Sequence, residues 1–412
     1  MPIETHDESP APARRRKKMP REEDLGAYRL LERIRSLLAV LRDSTPHCNR
    51  KLHFDEYAAA LVFYFFNPAI DSLRGLQQVT EFERVQKALG IRRMSLGAMS
   101  ESVRTFDPEL LACVYQELVD QAPERPRDPR LRNLGQKLTV VDGTVLEALP
   151  RMFWAIWLRP GQQGVRVHTQ FEILKDTPSL IEVAEGKSSE TKHLREHLEP
   201  DRLYMLDRGY VCYSLLQMIM DAGSSFVVRL HNNAVLRTVE TKELSPEDRK
   251  AGVVSDRIVE LGGADRRDQL RRPIRVVEIY VPEREARGLG FPKKRTSSNR
   301  VVRVEKGEAY TLMVATDRLD LPADVVGLIY HHRWKVELFF RVLKNLLGCR
   351  HLLSDSLEGV TIQVYCALIA SLLLAEHTGV RPNKRVYELV NSWLSGWVTD
   401  EELRERLQKL KK

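Results

Sequence analysis

The chain has 412 residues, 43% of them hydrophobic and 30% charged, a net charge of +8 and an isoelectric point near 9.2. That fits a soluble globular protein with two or three domains, and the basic balance points to a polyanionic partner. Cys48, Cys113, Cys212, Cys349 and Cys366 are scattered without a C-x-x-C pair, which excludes a disulfide framework and a zinc ribbon, and no apolar stretch follows the N-terminal charges as a signal peptide requires.

Residues 1–24 are rich in Pro, Glu and Arg and include "RRRKK" (Arg14 to Lys18), a composition that predicts a disordered basic arm. From residue 25 to about 130 the apolar spacing is helical, as in "DEYAAALVFYFF" and "PELLACVYQELVDQ", and the segment closes at the linker "APERPRDPRLR". The period then changes. "KLTVVDGT", "VRVHTQFEIL" and "SLIEVAEG" read as adjacent strands, "ETKHLREHL" as a helix, "RLYMLDRGY" as a strand with its turn, "CYSLLQMIMDAG" as a helix and "SFVVRL" as another strand. This order predicts an α/β domain with a mixed sheet. Residues 231–309 turn polar, with 18 Lys and Arg against 13 Asp and Glu, and "VSDRIVELGG" and "RRPIRVVEIYVPE" read as solvent-facing strands of an insertion. "YTLMVATD" returns to a buried strand, "YHHRWKVELFFRVLK" follows as a helix, and Val360 to His377 reads as a buried helix, not a membrane span, because Thr361, Gln363 and Ser371 interrupt it. An amphipathic tail occupies 381–412.

Three acids stand out by position. Asp142 ends the strand "LTVVD" and Asp207 follows the strand "LYML". Ligands of α/β sheets gather where loops leave the carboxyl ends of strands. Glu337 lies on a helical stripe with Tyr330, Arg333, Arg341 and Lys344, while Val336, Phe339, Val342, Leu343 and Leu346 take the opposite side. Taken singly, each acid has an ordinary explanation: a turn residue at Asp142 and Asp207, an ion pair with Arg333 or Arg341 at Glu337. The order strand-Asp, strand-Asp, helix-Glu is far more specific. Three unpaired carboxylates in one pocket repel, and hard divalent cations resolve that repulsion. A pair of such ions can assist both the attacking and the leaving oxygen of a phosphoryl displacement. Tyr330, Arg333, Arg341 and Lys344, with Arg208 beside Asp207, then serve to hold DNA phosphates.

"VVDGT", "LDRGY", "FVVRL" and above all Tyr330-x-x-Arg333-x-x-x-Glu337 with Lys344 seven residues on resemble the DDE transposases of bacterial cut-and-paste insertion sequences, in particular the group with a Y-R-E-K signature. The resemblance runs from about Lys137 to Leu353. It implies a ribonuclease-H-like catalytic core over 131–230 and 310–380, interrupted by the β-rich insertion 231–309 and preceded by a helical DNA-binding domain at 25–130. It implies a metal triad of Asp142, Asp207 and Glu337 with two Mg²⁺ ions, or Mn²⁺ as their substitute, and Tyr330, Arg333 and Lys344 as phosphate-binding residues. The activity implied is cutting at the terminal inverted repeats of a mobile element and joining to target DNA. The partners implied are DNA and a second copy in a synaptic homodimer, in a cytoplasmic, nucleoid-associated protein without a membrane. Family members that use a DNA hairpin place a tryptophan in the insertion to receive a flipped base. The five tryptophans here are 154, 157, 334, 393 and 397, so either Tyr280 or Phe291 supplies that surface or the step is not used.

Two rival readings are a catalytically silent DNA-binding descendant of such an enzyme and a two-carboxylate glycosidase; the basic stripe around Glu337 suits phosphates better than sugars. "HLREH" has the spacing of a zinc pair but lacks the glutamate of H-E-x-x-H, so His193 and His197 are expected on a surface helix. His168 is expected in the core near Asp142, and Trp154 and Trp157 in packing.

Overall fold

The computed structural model describes residues 20–22, 25, 34–44, 50–67, 69–124, 128–149, 152–159, 162–263, 270–281, 310–346, 352–379, 384–394 and 397–411. The basic run Arg14 to Lys18 and the whole stretch from 282 to 309, Phe291 included, lie outside them.

The N-terminal part is helical: α1 (Phe54–Phe66), α2 (Leu73–Val79), α3 (Glu83–Leu89), α4 (Leu96–Ser102) and α5 (Pro108–Gln121). The sequence punctuates them with physical signals. Ser72, Ser95 and Asp107 accept hydrogen bonds from the first-turn N–H groups of α2, α4 and α5, and Gly90 closes α3 at φ +64°. These helices pack on α11 (Leu357–Thr378), the one described helix long and apolar enough to cross a membrane, whose apolar window is 72% buried inside the protein. Tyr365 of α11 donates to the Ile181 carbonyl at 2.9 Å, and Tyr115 of α5 donates to Pro178 O at 2.8 Å, so the helical layer is bonded to the sheet.

Among the described residues the second part is a mixed α/β unit on ten strands: β1 (Lys137–Glu147), β2 (Ile156–Arg159), β3 (Gln162–Glu172), β4 (Thr177–Glu185), β5 (Arg202–Leu206), β6 (Ser225–Arg229), β7 (Leu236–Thr241), β8 (Val253–Leu261), β9 (Ile274–Val281) and β10 (Tyr310–Thr316). They lie in the order β2-β3-β1-β5-β6-β10-β9-β8-β7, with β4 also paired to β3. Only the β1–β5 and β5–β6 pairs are parallel, joined by crossovers through α6 (Glu190–Glu196) and α7 (Tyr213–Asp221). Alternation divides the strands between two cores. Leu138, Val140, Leu203, Met205 and Val227 face α9 (Ala323–His331) and α10 (Trp334–Arg341), whereas Val141, Tyr204, Leu206 and Val228 face α7.

The segment from β7 to β9 is continuous with this sheet through β10. "RRPIRVVEIYVPE" is expected to be solvent-facing, yet β9 runs between β8 and β10 and its Val276 and Val277 are fully buried on opposite faces. A helix, α8 (Pro246–Lys250), packs beside α9 there. The C-terminal helices α12 (Lys384–Leu394) and α13 (Asp400–Lys411) complete the helical core.

Candidate active site

Alternation carries Asp142 and Asp207 to the same place. Leu138 and Val140 face α9 and α10, so the next residue of that register is Asp142; Leu203 and Met205 do the same for Asp207. Both carboxylates therefore leave the parallel centre of the sheet beneath the helical layer that carries Tyr330, Arg333 and Glu337.

That layer is not the single helix the spacing predicts. α9 ends at His331, and bonds from Arg333 N to Tyr330 O and from Lys335 N to His332 O, both 3.0 Å, tighten the chain before α10 begins at Trp334. Beyond Arg341 the chain widens into a π-turn, Val342–Leu346, which holds Lys344. The expected polar stripe is also largely covered: Tyr330 is 3% exposed and Arg333 7%, Glu337 and Lys344 are half-buried, and Arg341 is exposed.

Arg333 ties the acids together. Its Nη2 donates to Glu337 Oε1 at 2.9 Å, and its Nη1 lies 3.6 Å from Asp142 Oδ2. The Tyr330 hydroxyl is 3.5 Å from Asp207 Oδ1, at the outer limit of a hydrogen bond, and the Arg333 guanidinium sits 6.0 Å from the Tyr330 ring centre. Burial pushes the Asp142 pKa up to about 7; Arg333 and the Gly143 N–H pull it down, while Glu190 and Asp207 push it up. Burial likewise raises the Tyr330 phenol. For Arg333 burial acts to lower the pKa, and the combined charges of Tyr330, Asp207, Asp142 and Glu337 raise it instead.

Asp142, Asp207 and Glu337 are an all-oxygen set suited to a hard divalent cation, and the half-buried Asp142 gains most from one because its ionised form is poorly solvated. Their oxygens are not gathered within 4.8 Å of one another as a trio; the guanidinium of Arg333 stands between two of them. Arg208 lies half-buried in the short turn after Asp207.

Two residues at this centre escape a reading of the sequence. Glu190, in the first turn of α6, pairs with Arg166 and lies so close to Gly143 that a Cβ there would meet its Oε1 at 2.8 Å. Arg229, the last residue of β6, is 6% exposed and within electrostatic reach of Tyr330, Asp207, Arg208 and Arg333; burial lowers its pKa. Glu190 carries no local signal, since its contact arises where a helix crosses a strand; Arg229 is marked only by being a charge at the end of the apolar run "SFVV". Trp154 donates from Nε1 to the Asp355 carbonyl at 2.8 Å, a packing role as expected. His168 is buried, as expected, opposite Gly143 in the β1–β3 pairing.

Residues 133–373 match the family model described as "Transposase DDE domain". The chain is similar to the y4zB protein of Sinorhizobium fredii, whose name assigns it to the transposases, with 25% identity over 214 residues, 52% of this chain and 53% of that one. It is also similar to the transposase named for insertion sequence element IS5377 of Geobacillus stearothermophilus, with 21% identity over 287 residues, 69% of this chain and 68% of that one. The match thus spans about half the length of y4zB. Among solved structures, a piggyBac transposase synaptic complex with hairpin DNA aligns over 92% of this chain and 81% of that one, at 11% identity and a TM-score of 0.39. The family match takes in more than half of the chain and all three acids from Asp142 to Glu337, and the chain belongs to the family of transposases that carry the DDE domain.

Proposed function

We propose that this protein is a metal-dependent DNA transposase that cuts the ends of a mobile element and joins them to target DNA, with Asp142, Asp207 and Glu337 as its metal ligands. One observation carries the reading: inside the matched region, Arg333 bonds Glu337 while facing Asp142, and its neighbour Tyr330 faces Asp207. Such economy, two side chains spanning three acids from distant segments, is expected of a site and not of scattered turn residues. The parallel pairs β1–β5–β6 flanked by the antiparallel β3 support a ribonuclease-H-like core, with residues 231–309 as its insertion and 25–130 as the domain that recognises the inverted repeats.

Two Mg²⁺ ions, or Mn²⁺ in their place, would on binding the three carboxylates favour an ionised attacking oxygen and stabilise the leaving one. The chain's own residues do the rest. Arg333, Tyr330, Arg208 and Lys344 orient the phosphodiester, with Arg341 exposed for the flanking backbone. In cleavage, water adds to phosphorus and the 3′ oxygen of the element leaves with a proton; in joining, that 3′-hydroxyl adds to a target phosphodiester and displaces its 3′ oxygen. Water is kept off the buried side by Val336 and Phe340. Tyr280, 47% exposed, shares a cavity of about 840 Å³ with Tyr330, Arg333 and Trp334, which supports it as the surface for an extruded base. A homodimer joins two ends at once in a cytoplasmic, nucleoid-associated complex.

Replacing Glu337 with Gln should abolish Mg²⁺-dependent cleavage of end-containing DNA and leave end binding intact. Cleavage retained by that variant overturns the triad, and a wild-type protein that binds ends without cutting them favours the silent DNA-binding alternative.

A further inference from the structure

A second group of ligand-type side chains lies beside the site just described. β3 and β4 pair His168 with Glu182, which places both side chains on one face, and α6 crosses that face. His193 of α6 stacks on His168, with ring centres 4.3 Å apart and planes 16° from parallel, and His197 at the end of the helix sits 4.4 Å from His193. The expectation of two surface histidines therefore fails for His193, which is 5% exposed.

The polar atoms converge. Glu182 Oε2 lies 2.5 Å from His193 Nδ1 and 3.8 Å from His197 Nε2, and one donor atom from each of the three residues falls within 4.8 Å of the others. The partner of the remaining nitrogen decides the tautomer of His197. Its Nδ1 lies 3.0 Å from the carbonyl of His193, which can only accept, so Nδ1 carries a hydrogen and Nε2 is the ring atom turned toward the carboxylate. Across 3.8 Å that nitrogen and the carboxylate are too far apart for a direct hydrogen bond. The buried Nε2 of His193 has no hydrogen-bond partner, so that ring is held on its Glu182 side alone.

We propose that Glu182, His193 and His197 form a transition-metal site, best suited to Zn²⁺ and separate from the DDE carboxylates. Two imidazoles and one carboxylate are a borderline donor set that favours Zn²⁺ over the Mg²⁺ preferred by three carboxylates. Donor atoms around tetrahedral zinc stand roughly 3.3 Å apart for bonds of about 2.0–2.1 Å, so the observed separations need only small side-chain shifts. The backbone of the site is anchored, because Gln170 donates to the His197 carbonyl at 2.9 Å. A fourth position faces a cavity of about 620 Å³ whose lining includes Glu182, His197, Tyr115 and Tyr365, wide enough for a water ligand. The bound metal would pin α6 to β4, and α6 is the helix that sets Glu190 against Gly143, next to Asp142.

The test uses Co²⁺ as a spectroscopic probe on the full chain with Mg²⁺ in excess, and it does not depend on transposition. Wild type should show the intense visible absorption of four-coordinate Co²⁺ at one equivalent, displaced by one equivalent of Zn²⁺. Glu337→Gln should keep it. His197→Ala and Glu182→Gln, at side chains 37% and 45% exposed and so tolerant of change, should each lose it while their circular dichroism stays that of the wild type. Absence of the band in wild type, its survival in both of these variants, or its loss in Glu337→Gln overturns the proposal.

Discussion

Arg333 is the residue on which the centre turns. A guanidinium 7% exposed, bonded to Glu337 and facing Asp142, supplies in the free protein the positive charge that two partly buried carboxylates require. It therefore competes with any cation for the same oxygens. Arg333→Ala should tighten Mn²⁺ binding to the DNA-free protein by about two- to fivefold, the equivalent of the roughly 0.4–1 kcal/mol of a partly exposed ion pair. The same change should abolish DNA cleavage. Calorimetric titration with Mn²⁺ checks the first half, and weaker binding would show that Arg333 supports the cation site instead of opposing it. At this scale the sequence is informative where a residue closes or follows a pattern: Asp142 and Asp207 each follow a buried apolar run, and Glu337 stands on a helical stripe. It is silent on Glu190, whose place beside Gly143 is set by the angle at which α6 crosses β1, and no local pattern encodes that angle.

At the scale of elements, the notable contact joins α8 to α9. Pro322 precedes α9 and offers no side-chain cap, and the open N–H of Asp324 is taken instead by Asp248 Oδ1 at 2.9 Å. The other oxygen of Asp248 closes the capping box of α8, accepting from Ser245 N at 3.0 Å and Ser245 Oγ at 2.8 Å. One carboxylate thus caps two helices, one of them leading to Tyr330 and Arg333. Asp248→Ala should cost about 1–3 kcal/mol in urea unfolding, since it orphans two helix termini. Burial works to raise the Asp248 pKa, but the bonds from Ser245 and Asp324 hold it below the ordinary carboxylate value. Because the folded pKa is the lower one, this stabilisation is complete above about pH 4 and is lost as pH falls below it. The gap in melting temperature between wild type and Asp248→Asn should therefore narrow as the pH is taken below about 4; a constant gap would place the effect in packing, not charge. Helix positions here were legible from caps and prolines, but the break at His332–Arg333 was not, because "YHHRWKVELFF" keeps helical spacing straight through it.

For the whole molecule, the division into a helical part and a mixed α/β part follows from the change of period near residue 131, and it is the most legible feature of the chain. The sheet's extent was not legible. β9 lies in a stretch that is polar by composition, yet it runs between β8 and β10 and its two faces pack into both cores. The net charge of +8 belongs to this scale too. If about six phosphates are neutralised on binding an end, affinity should fall roughly a thousandfold between 50 and 200 mM KCl. A fluorescence anisotropy titration at several salt concentrations gives the slope, and a flat one would remove the electrostatic account of DNA binding. The pairing of β6 with β10 has one more consequence, for synthesis on the ribosome. Residues 230–309 separate these neighbours, so Phe226, Val227 and Val228 emerge with one edge of their strand bare and stay so until Tyr310–Thr316 is translated. A message cut short in that interval yields a polypeptide with a sticky flank, prone to aggregation and proteolysis.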